Sequence, residues 1–146
     1  MSTFWGSRKS QRGAAALEFA IVVPVLILLV FGIIDFGGVM NAQVVVANAA
    51  REGARSAALG GSTTTATATV RTVMGSLPGA SDTTITQVTV VCTSLTNVVD
   101  STCTSTTDAG GKAVATITYK YTWLSPVPLG LASTINVTQS SQMRIE

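Results

Sequence analysis

The residue with the clearest chemical role in the sequence is Glu18, a carboxylate inside a long apolar stretch. It is the one charged side chain among the 21 residues from Ala14 to Ile34. A charged carboxylate at the bilayer centre costs about 2.5–3.5 kcal/mol, and less near an end of the span. Either the side chain snorkels toward the headgroups, or it neutralises a positive charge held at the same depth.

Enzymatic catalysis has little support in the sequence. The chain has no His, and so it lacks both the commonest general base and the Ser–His pair of a nucleophilic hydrolase. Asp82, Asp100 and Asp108 lie in polar segments and do not have the spacing of metal ligands. We therefore expect no catalytic residue, no metal and no cofactor.

The apolar and polar residues of the 146-residue chain are segregated, which predicts a membrane anchor followed by one small domain. Residues 14–50 are nearly all apolar or small, whereas residues 60–146 are rich in Thr and Ser. Arg8, Lys9 and Arg12 form a basic cluster at the N-terminus. Beyond this cluster acidic and basic side chains nearly balance, which argues against nucleic-acid binding.

The apolar stretch is long enough to cross a bilayer. At 1.5 Å per residue, residues 14–34 form a helix of roughly 31 Å. A cleaved secretory signal peptide is the main alternative, but its apolar region is typically about 7–15 residues long. The positive-inside rule places the basic N-terminus in the cytoplasm and the C-terminal part outside. Pro24 removes one backbone donor within the span and is expected to kink the helix.

The two cysteines, Cys92 and Cys103, are 11 positions apart in the part predicted to be exported. In an oxidising compartment they are expected to form a disulfide, with two free thiols as the alternative. Closing a loop of this size stabilises a fold by roughly 3 kcal/mol in the chain-entropy model.

The helical pattern continues beyond the membrane over residues 41–60 and becomes amphipathic. Arg51, Glu52 and Arg55 lie on one side, where they are either solvated or in contact with another subunit. The opposite side carries Ala47, Ala50, Ala54, Ala57 and Ala58. We expect this alanine stripe to pack on a sheet and the helix to end near Gly60-Gly61.

The remaining residues, 61–146, are predicted to form a small α+β head. A short helix is expected over residues 66–76, stopped by Pro78-Gly79. Three strand-like runs follow at 85–92, 113–123 and 135–145, and they predict an antiparallel sheet of about three strands packed on the long helix. Their apolar positions include Ala113, Ala115, Ile117, Tyr119, Tyr121 and Trp123 in the second run, and Ile135, Val137, Met143 and Ile145 in the third. We interpret the aromatic residues as a core face, with a ligand-binding surface as the alternative. The polar segment 93–112 is predicted to be a loop held by the disulfide.

The N-terminal segment resembles the TadE-like family, the minor pilins or pseudopilins of the tight-adherence (Tad, or Flp) type IV pilus system. The resemblance rests on Arg12-Gly-Ala-Ala-Ala-Leu-Glu-Phe-Ala-Ile-Val-Val-Pro24, on Gly32 through Gly38, and on Asn48-Ala-Ala-Arg-Glu-Gly-Ala-Arg55. It implies that a prepilin peptidase cuts after Gly13, so that Ala14 becomes the N-terminus and Glu18, followed by Phe19, the fifth residue. Classical type IV pilins usually have Phe or Met where this chain has Ala14.

Such a cut would create an α-ammonium group, with a reference pKa near 7.7–8.0, in or beside the apolar layer. Glu18 could neutralise it within its own chain, at i, i+4 spacing, or in a neighbouring chain. The pair could then set the axial register between packed helices.

The resemblance also implies partners and a location. The partners are the prepilin peptidase, other major and minor pilins, the pilus assembly platform in the membrane, and the lipid bilayer. The location is the cytoplasmic (inner) membrane, before or during assembly of a surface pilus. The expected division is a leader over 1–13, a membrane helix over 14–40, a helix extension over 41–60 and an exported head over 61–146.

Two functional hypotheses remain at this point. In the first, the chain is a processed minor pilin that takes part in assembling an adhesive pilus. In the second, it is an unprocessed single-pass protein that scaffolds assembly or presents an exported binding or adhesin head.

Overall fold

The computed structural model describes residues 9–60, 62–77, 80, 84–96, 99–100, 103, 109–124 and 133–145. Its elements are α1 (Lys9–Ala58), α2 (Thr63–Met74), β1 (Ile85–Thr93), β2 (Val99–Asp100), β3 (Lys112–Thr122) and β4 (Thr134–Arg144). The predicted α+β layout, a long apolar helix followed by an antiparallel sheet, is confirmed.

Helix α1 is continuous over 50 residues, with Pro24 inside it. It ends where the sequence predicts: the N–H of Leu59 donates to the carbonyl of Arg55 at 3.1 Å, and Gly60 follows with φ of +79°. Glycine suits this left-handed position because it has no Cβ to clash with the backbone.

The two halves of α1 have different surroundings. None of the side chains described over residues 13–34 is buried, whereas Asp35 begins a buried stripe along the helix. The stripe consists of Asp35, Val39, Ala42, Val46, Ala49, Ala50, Gly53, Ala54, Ala57 and Ala58. The predicted alanine stripe is therefore correct at four positions and wrong at Ala47, which is half-buried because it lies at the edge of the buried face.

Helix α2 begins three residues before the predicted start because Ser62 caps it. The Ser62 hydroxyl accepts a hydrogen bond from the N–H of Thr65 at 3.2 Å, which satisfies one of the free donors of the first turn. The buried face of α2 is Ala66, Val70 and Met74. It crosses α1 closely at Gly53, where an added Cβ would lie 2.5 Å from Cγ2 of Val70. The predicted stop at Pro78-Gly79 lies outside the described residues.

The sheet has the order β2-β1-β3-β4, with every neighbouring pair antiparallel. Val90 lies opposite Ala115, and Tyr119 lies opposite Val137. The three long strands match the three predicted runs to within one residue at each end. The short β2 was not predicted because two residues are too few to show an alternating pattern.

The face of the sheet that carries Ala113, Ala115, Ile117 and Tyr119 is buried and forms the core with α1 and α2. This confirms the core interpretation for Tyr119. On β4 the prediction holds for Val137 and Ile145, which are buried, but is wrong for Ile135 and Met143, which are exposed. The difference arises because β4 is an edge strand, so its side chains have neighbours on fewer sides.

Candidate functional site

The predicted processing site lies inside a helix. Because α1 begins at Lys9, Gly13 and Ala14 are both helical, and both are exposed. A Cβ added to Gly13 would meet no atom within 4 Å. Glycine costs about 1 kcal/mol relative to alanine in a helix interior, so Gly13 makes this turn easier to unwind.

Glu18 and Phe19 follow on the exposed surface of the same helix. Within the part of the chain that the structure describes, Glu18 makes neither a hydrogen bond nor an ion pair. Phe19 is 70% exposed and is surrounded by other exposed apolar side chains of α1. The arrangement is therefore an exposed apolar surface with one carboxylate.

Helix α1 runs through Pro24 without a break, and Pro24 is exposed like most of its neighbours. Its ring removes one backbone donor, so the carbonyl four residues earlier lacks its usual partner. A kink at Pro24 stays a prediction.

A second carboxylate, Asp35, was not singled out by the sequence analysis, although it is the most buried charged side chain among the described residues of the long helix. It is 3% exposed and takes the first position of the buried stripe. Its Oδ1 accepts a hydrogen bond from the N–H of Leu124 at 2.8 Å. Counting back from Val46 by helical spacing reaches Ala42, Val39 and then Asp35, so the pattern could have indicated a buried acid. Its partner could not be found this way because it lies 89 positions away.

Tyr121 packs on the same turn of α1. Its hydroxyl contacts Gly38 so closely that an added Cβ there would lie 2.9 Å from Cζ of the ring. Burial raises the pKa of Tyr121 above its ordinary value of 10.0. The negative charge of Asp35 raises this pKa further, and so does the electrostatic interaction with Tyr119. The phenol therefore stays neutral in the physiological range, and its ring packs against α1. The ring of Trp123 lies edge-on to it, with the centroids 5.8 Å apart.

These contacts form a joint between α1 and the end of β3. A cavity of about 350 Å³ lies beside the joint, lined by Ile34, Gly38, Asn41, Ala42, Leu77, Thr84, Tyr119, Lys120, Tyr121, Thr122 and Leu124. Most of this lining is apolar. Among the described residues there is no cluster of three or more His, Cys, Asp or Glu side chains that could hold a metal ion.

A comparison with protein families bears on this helix. The family model described as TadE-like protein matches residues 13–55. We call residues 13–55 the TadE-like segment, because they are similar to this family. The match begins at the predicted processing glycine, covers Glu18 and Asp35, and ends at Arg55. No curated protein and no solved structure matches the chain.

The TadE-like segment contains one helix that is long and apolar enough to cross a membrane, and it is the one such helix among the described residues. Its length and composition fit a single-pass membrane protein. The most apolar part of this helix is not buried by the rest of the chain.

The charged cluster at the end of the TadE-like segment is solvated in the single chain. Arg51 donates to Oδ1 of Asn48 at 3.0 Å, and Arg55 pairs with Glu52 at 3.6 Å. Exposed pairs of this kind contribute little to stability. A contact between this cluster and another subunit stays a prediction.

The disulfide lies beyond the TadE-like segment, at the far end of the head. Cys92 of β1 is bonded to Cys103, with a Cα–Cα distance of 5.3 Å, and both residues are buried. The bond joins the second core cluster to the otherwise polar segment after β1. The predicted pairing is confirmed, and its role is structural.

Proposed function

We propose that the chain is a minor pilin or pseudopilin that takes part in the assembly of a Tad/Flp-type adhesive pilus. A prepilin peptidase cuts it between Gly13 and Ala14. The match of the TadE-like family model to residues 13–55 supports a link between the chain and the Tad pilus. The observation that carries the finer role is Glu18, which lies on an exposed apolar helix without a partner among the described residues.

The proposed mechanism follows from that missing partner. The cut converts Ala14 into a cationic N-terminus one helical turn from Glu18. Two isolated charges in an apolar layer are each costly, whereas a pair is much less so. When the helices of several subunits pack together, pairing between Glu18 of one chain and the N-terminus of another sets their relative height. The head, outside the membrane, then contacts other pilins.

The proposal also fixes a topology. The basic leader lies in the cytoplasm, the helix crosses the inner membrane, and the head with its disulfide lies outside. The partners are the prepilin peptidase, the other pilins and the assembly platform. This placement is supported by the basic residues before Gly13 and by the cysteine pair.

One observation favours a second candidate, an unprocessed single-pass protein that scaffolds assembly or presents a binding head. The bond between Gly13 and Ala14 lies within continuous helix α1, and a peptidase must unwind that turn to reach it. In this case Glu18 snorkels and the leader is retained.

Mass spectrometry of the chain after co-expression with a prepilin peptidase of a Tad system separates the two candidates. The first predicts an N-terminus at Ala14, and the second an intact N-terminus at Met1. Gly13→Val should block the cut, whereas Gly32→Val is the matched control because Gly32 is also helical, exposed and free of contacts at its Cβ position. Equal processing of both variants would contradict the assignment of the cleavage site.

A further inference from the structure

The end of the head nearest the exposed half of α1 carries a small apolar surface, the basal rim, formed by Trp123, Leu124 and Ile135. Leu124 is 69% exposed, Ile135 is 41% exposed, and Trp123 is half-buried. The rim is held together by the backbone, because the N–H of Trp123 donates to the carbonyl of Ser133 at 3.2 Å.

The basal rim lies at a defined height along α1. Residues 14–34 have no buried side chain and span roughly 31 Å, which matches the apolar thickness of a bilayer. Asp35, the next residue, is the first buried position, and its carboxylate binds the N–H of Leu124. The rim is therefore fixed at the level where the helix leaves the hydrocarbon layer.

The side chains at and beside the basal rim are of types that favour a membrane–water interface. Trp is enriched at membrane–water interfaces because its ring is apolar while its N–H prefers a polar neighbour. Lys120, which precedes the rim on the outer face of β3, is exposed and carries a positive charge that attracts anionic headgroups. Among the described residues, the buried acid at this height is Asp35, and its hydrogen bond turns its carboxylate toward the protein and not toward the lipid surface.

We propose that the basal rim rests on the lipid surface, at the boundary between headgroups and acyl chains of the leaflet from which α1 emerges. The head is then seated directly on the bilayer. This inference rests on the membrane span that the proposed function also uses, but not on cleavage at Gly13 or on a role in a pilus.

Tryptophan fluorescence tests the proposal, because the chain has two Trp residues and one of them, Trp5, lies in the leader. The full-length Trp5→Phe variant is placed in vesicles of phosphatidylcholine and phosphatidylglycerol whose acyl chains carry bromine either near the headgroup or near the chain end. Trp123 should lose most of its emission to bromine near the headgroup and little to bromine near the chain end.

Two control probes are made in a Trp5→Phe, Trp123→Phe background. Leu95→Trp reports the far end of the head, since Leu95 is 73% exposed and lies beside Gly110 before the start of β3. It should keep its emission in both vesicles. Leu28→Trp lies within the span and should be quenched by bromine near the chain end.

A perturbing pair completes the experiment. Leu124→Glu keeps the backbone N–H that binds Asp35 but places a charge on the rim, so quenching of Trp123 should fall. Leu95→Glu, at a similarly exposed leucine, should leave it unchanged. Circular dichroism checks that the head of both variants remains folded.

The proposal is overturned if Trp123 is quenched no more than Leu95→Trp while Leu28→Trp is quenched. That result would leave the span, and with it the proposed function, intact. A loss of quenching in Leu28→Trp would instead remove the span and both proposals together. If bromine at neither depth quenches Trp123 but its emission shifts with the protein-to-lipid ratio, a second copy of the chain covers the rim. In that case the lipid proposal is wrong.

Discussion

The carboxylate of Asp35 and the backbone N–H of Leu124 are 2.8 Å apart and join residues separated by 89 positions. The bond fastens the end of β3 to the point where α1 changes from an exposed to a buried helix. It is a hydrogen bond to a charged acceptor that is 3% exposed, and such bonds are stronger than neutral ones.

Removing this acceptor should loosen the base of the head. Asp35→Ala leaves the N–H of Leu124 without its partner and should lower the free energy of unfolding by about 1–3 kcal/mol. Asp35→Asn keeps a neutral acceptor of the same shape and should cost less. Chemical unfolding of the head in detergent micelles, followed by circular dichroism, measures both. Equal stability of wild type and Asp35→Ala would show that the bond does not hold the joint.

We expect that a side chain at position 38 destabilises the head, whereas one at position 37 is tolerated. An added Cβ at Gly38 would collide with the ring of Tyr121, but at Gly37 it would meet nothing within 4 Å. Gly38→Ala should therefore destabilise the head by about 1–3 kcal/mol through overpacking. Gly37→Ala, the matched control, should be neutral or slightly stabilising because alanine favours the helix. Combining Gly38→Ala with Tyr121→Leu should recover part of the loss, and an absence of recovery would place the clash elsewhere.

The long elements were predictable because each has a regular pattern over many residues. The apolar run predicted α1, and the alternation of apolar and polar residues predicted β3, without knowledge of what packs against either element. Burial was less predictable where it depends on a partner far along the chain. Ile135 and Met143 have the pattern of core residues but lie on an edge strand, and Asp35 looks like a break in the apolar run until Leu124 is placed against it.

The candidate site divided in the same way. The cysteine pair was predicted from residue type and compartment, and the bond is present. The role of Glu18, predicted from a carboxylate in an apolar run, and that of Gly13, implied by the family resemblance, stay predictions. The early start of α2 was missed because a run of threonines has low helix propensity. In the structure the threonine hydroxyls of α2 donate to backbone carbonyls one turn earlier, as the hydroxyl of Thr67 does to the carbonyl of Thr63 at 2.7 Å.

The two tyrosines predict a loss of stability at alkaline pH. The pKa of Tyr119 is raised by burial, and that of Tyr121 is raised by burial, by Asp35 and by Tyr119, relative to their ordinary 10.0. A raised folded-state pKa means that the folded chain keeps its proton longer, so this stability is complete below pH 10 and falls as the pH rises toward the folded pKa. These are the chain's two Tyr residues, so tyrosinate absorbance reports them alone. Their titration midpoints should lie above that of the unfolded chain, and Tyr121→Phe should flatten the alkaline loss. A midpoint at the ordinary value would contradict the burial of these phenols.

Reduction of the disulfide should destabilise the head without affecting the membrane helix. Opening the bond between Cys92 and Cys103 restores freedom to a loop of this size, worth roughly 3 kcal/mol in the unfolded chain. Unfolding with and without dithiothreitol measures the difference. The Cys92→Ser, Cys103→Ser double variant should be equally destabilised and insensitive to the reductant. A reductant effect that persists in the double variant would have another source.

Substituting the two carboxylates of α1 should affect different properties: Asp35 the stability of the head, and Glu18 the assembly of subunits. Asp35 has its partner within the chain, so its loss acts on the fold. Glu18 makes no hydrogen bond or ion pair with another described residue, so its loss should leave the head as stable as wild type. Glu18→Ala should nevertheless reduce subunit pairing and pilus production, because the cationic N-terminus at Ala14 would then stand alone in an apolar layer. Glu18→Gln, which removes the charge but keeps the size, should behave like Glu18→Ala if charge pairing matters. Cross-linking between co-expressed subunits, pilus counts and head unfolding measure the three effects on the same variants. If Glu18→Ala assembles normally, or if Glu18→Gln matches wild type, charge pairing does not drive the association of these helices.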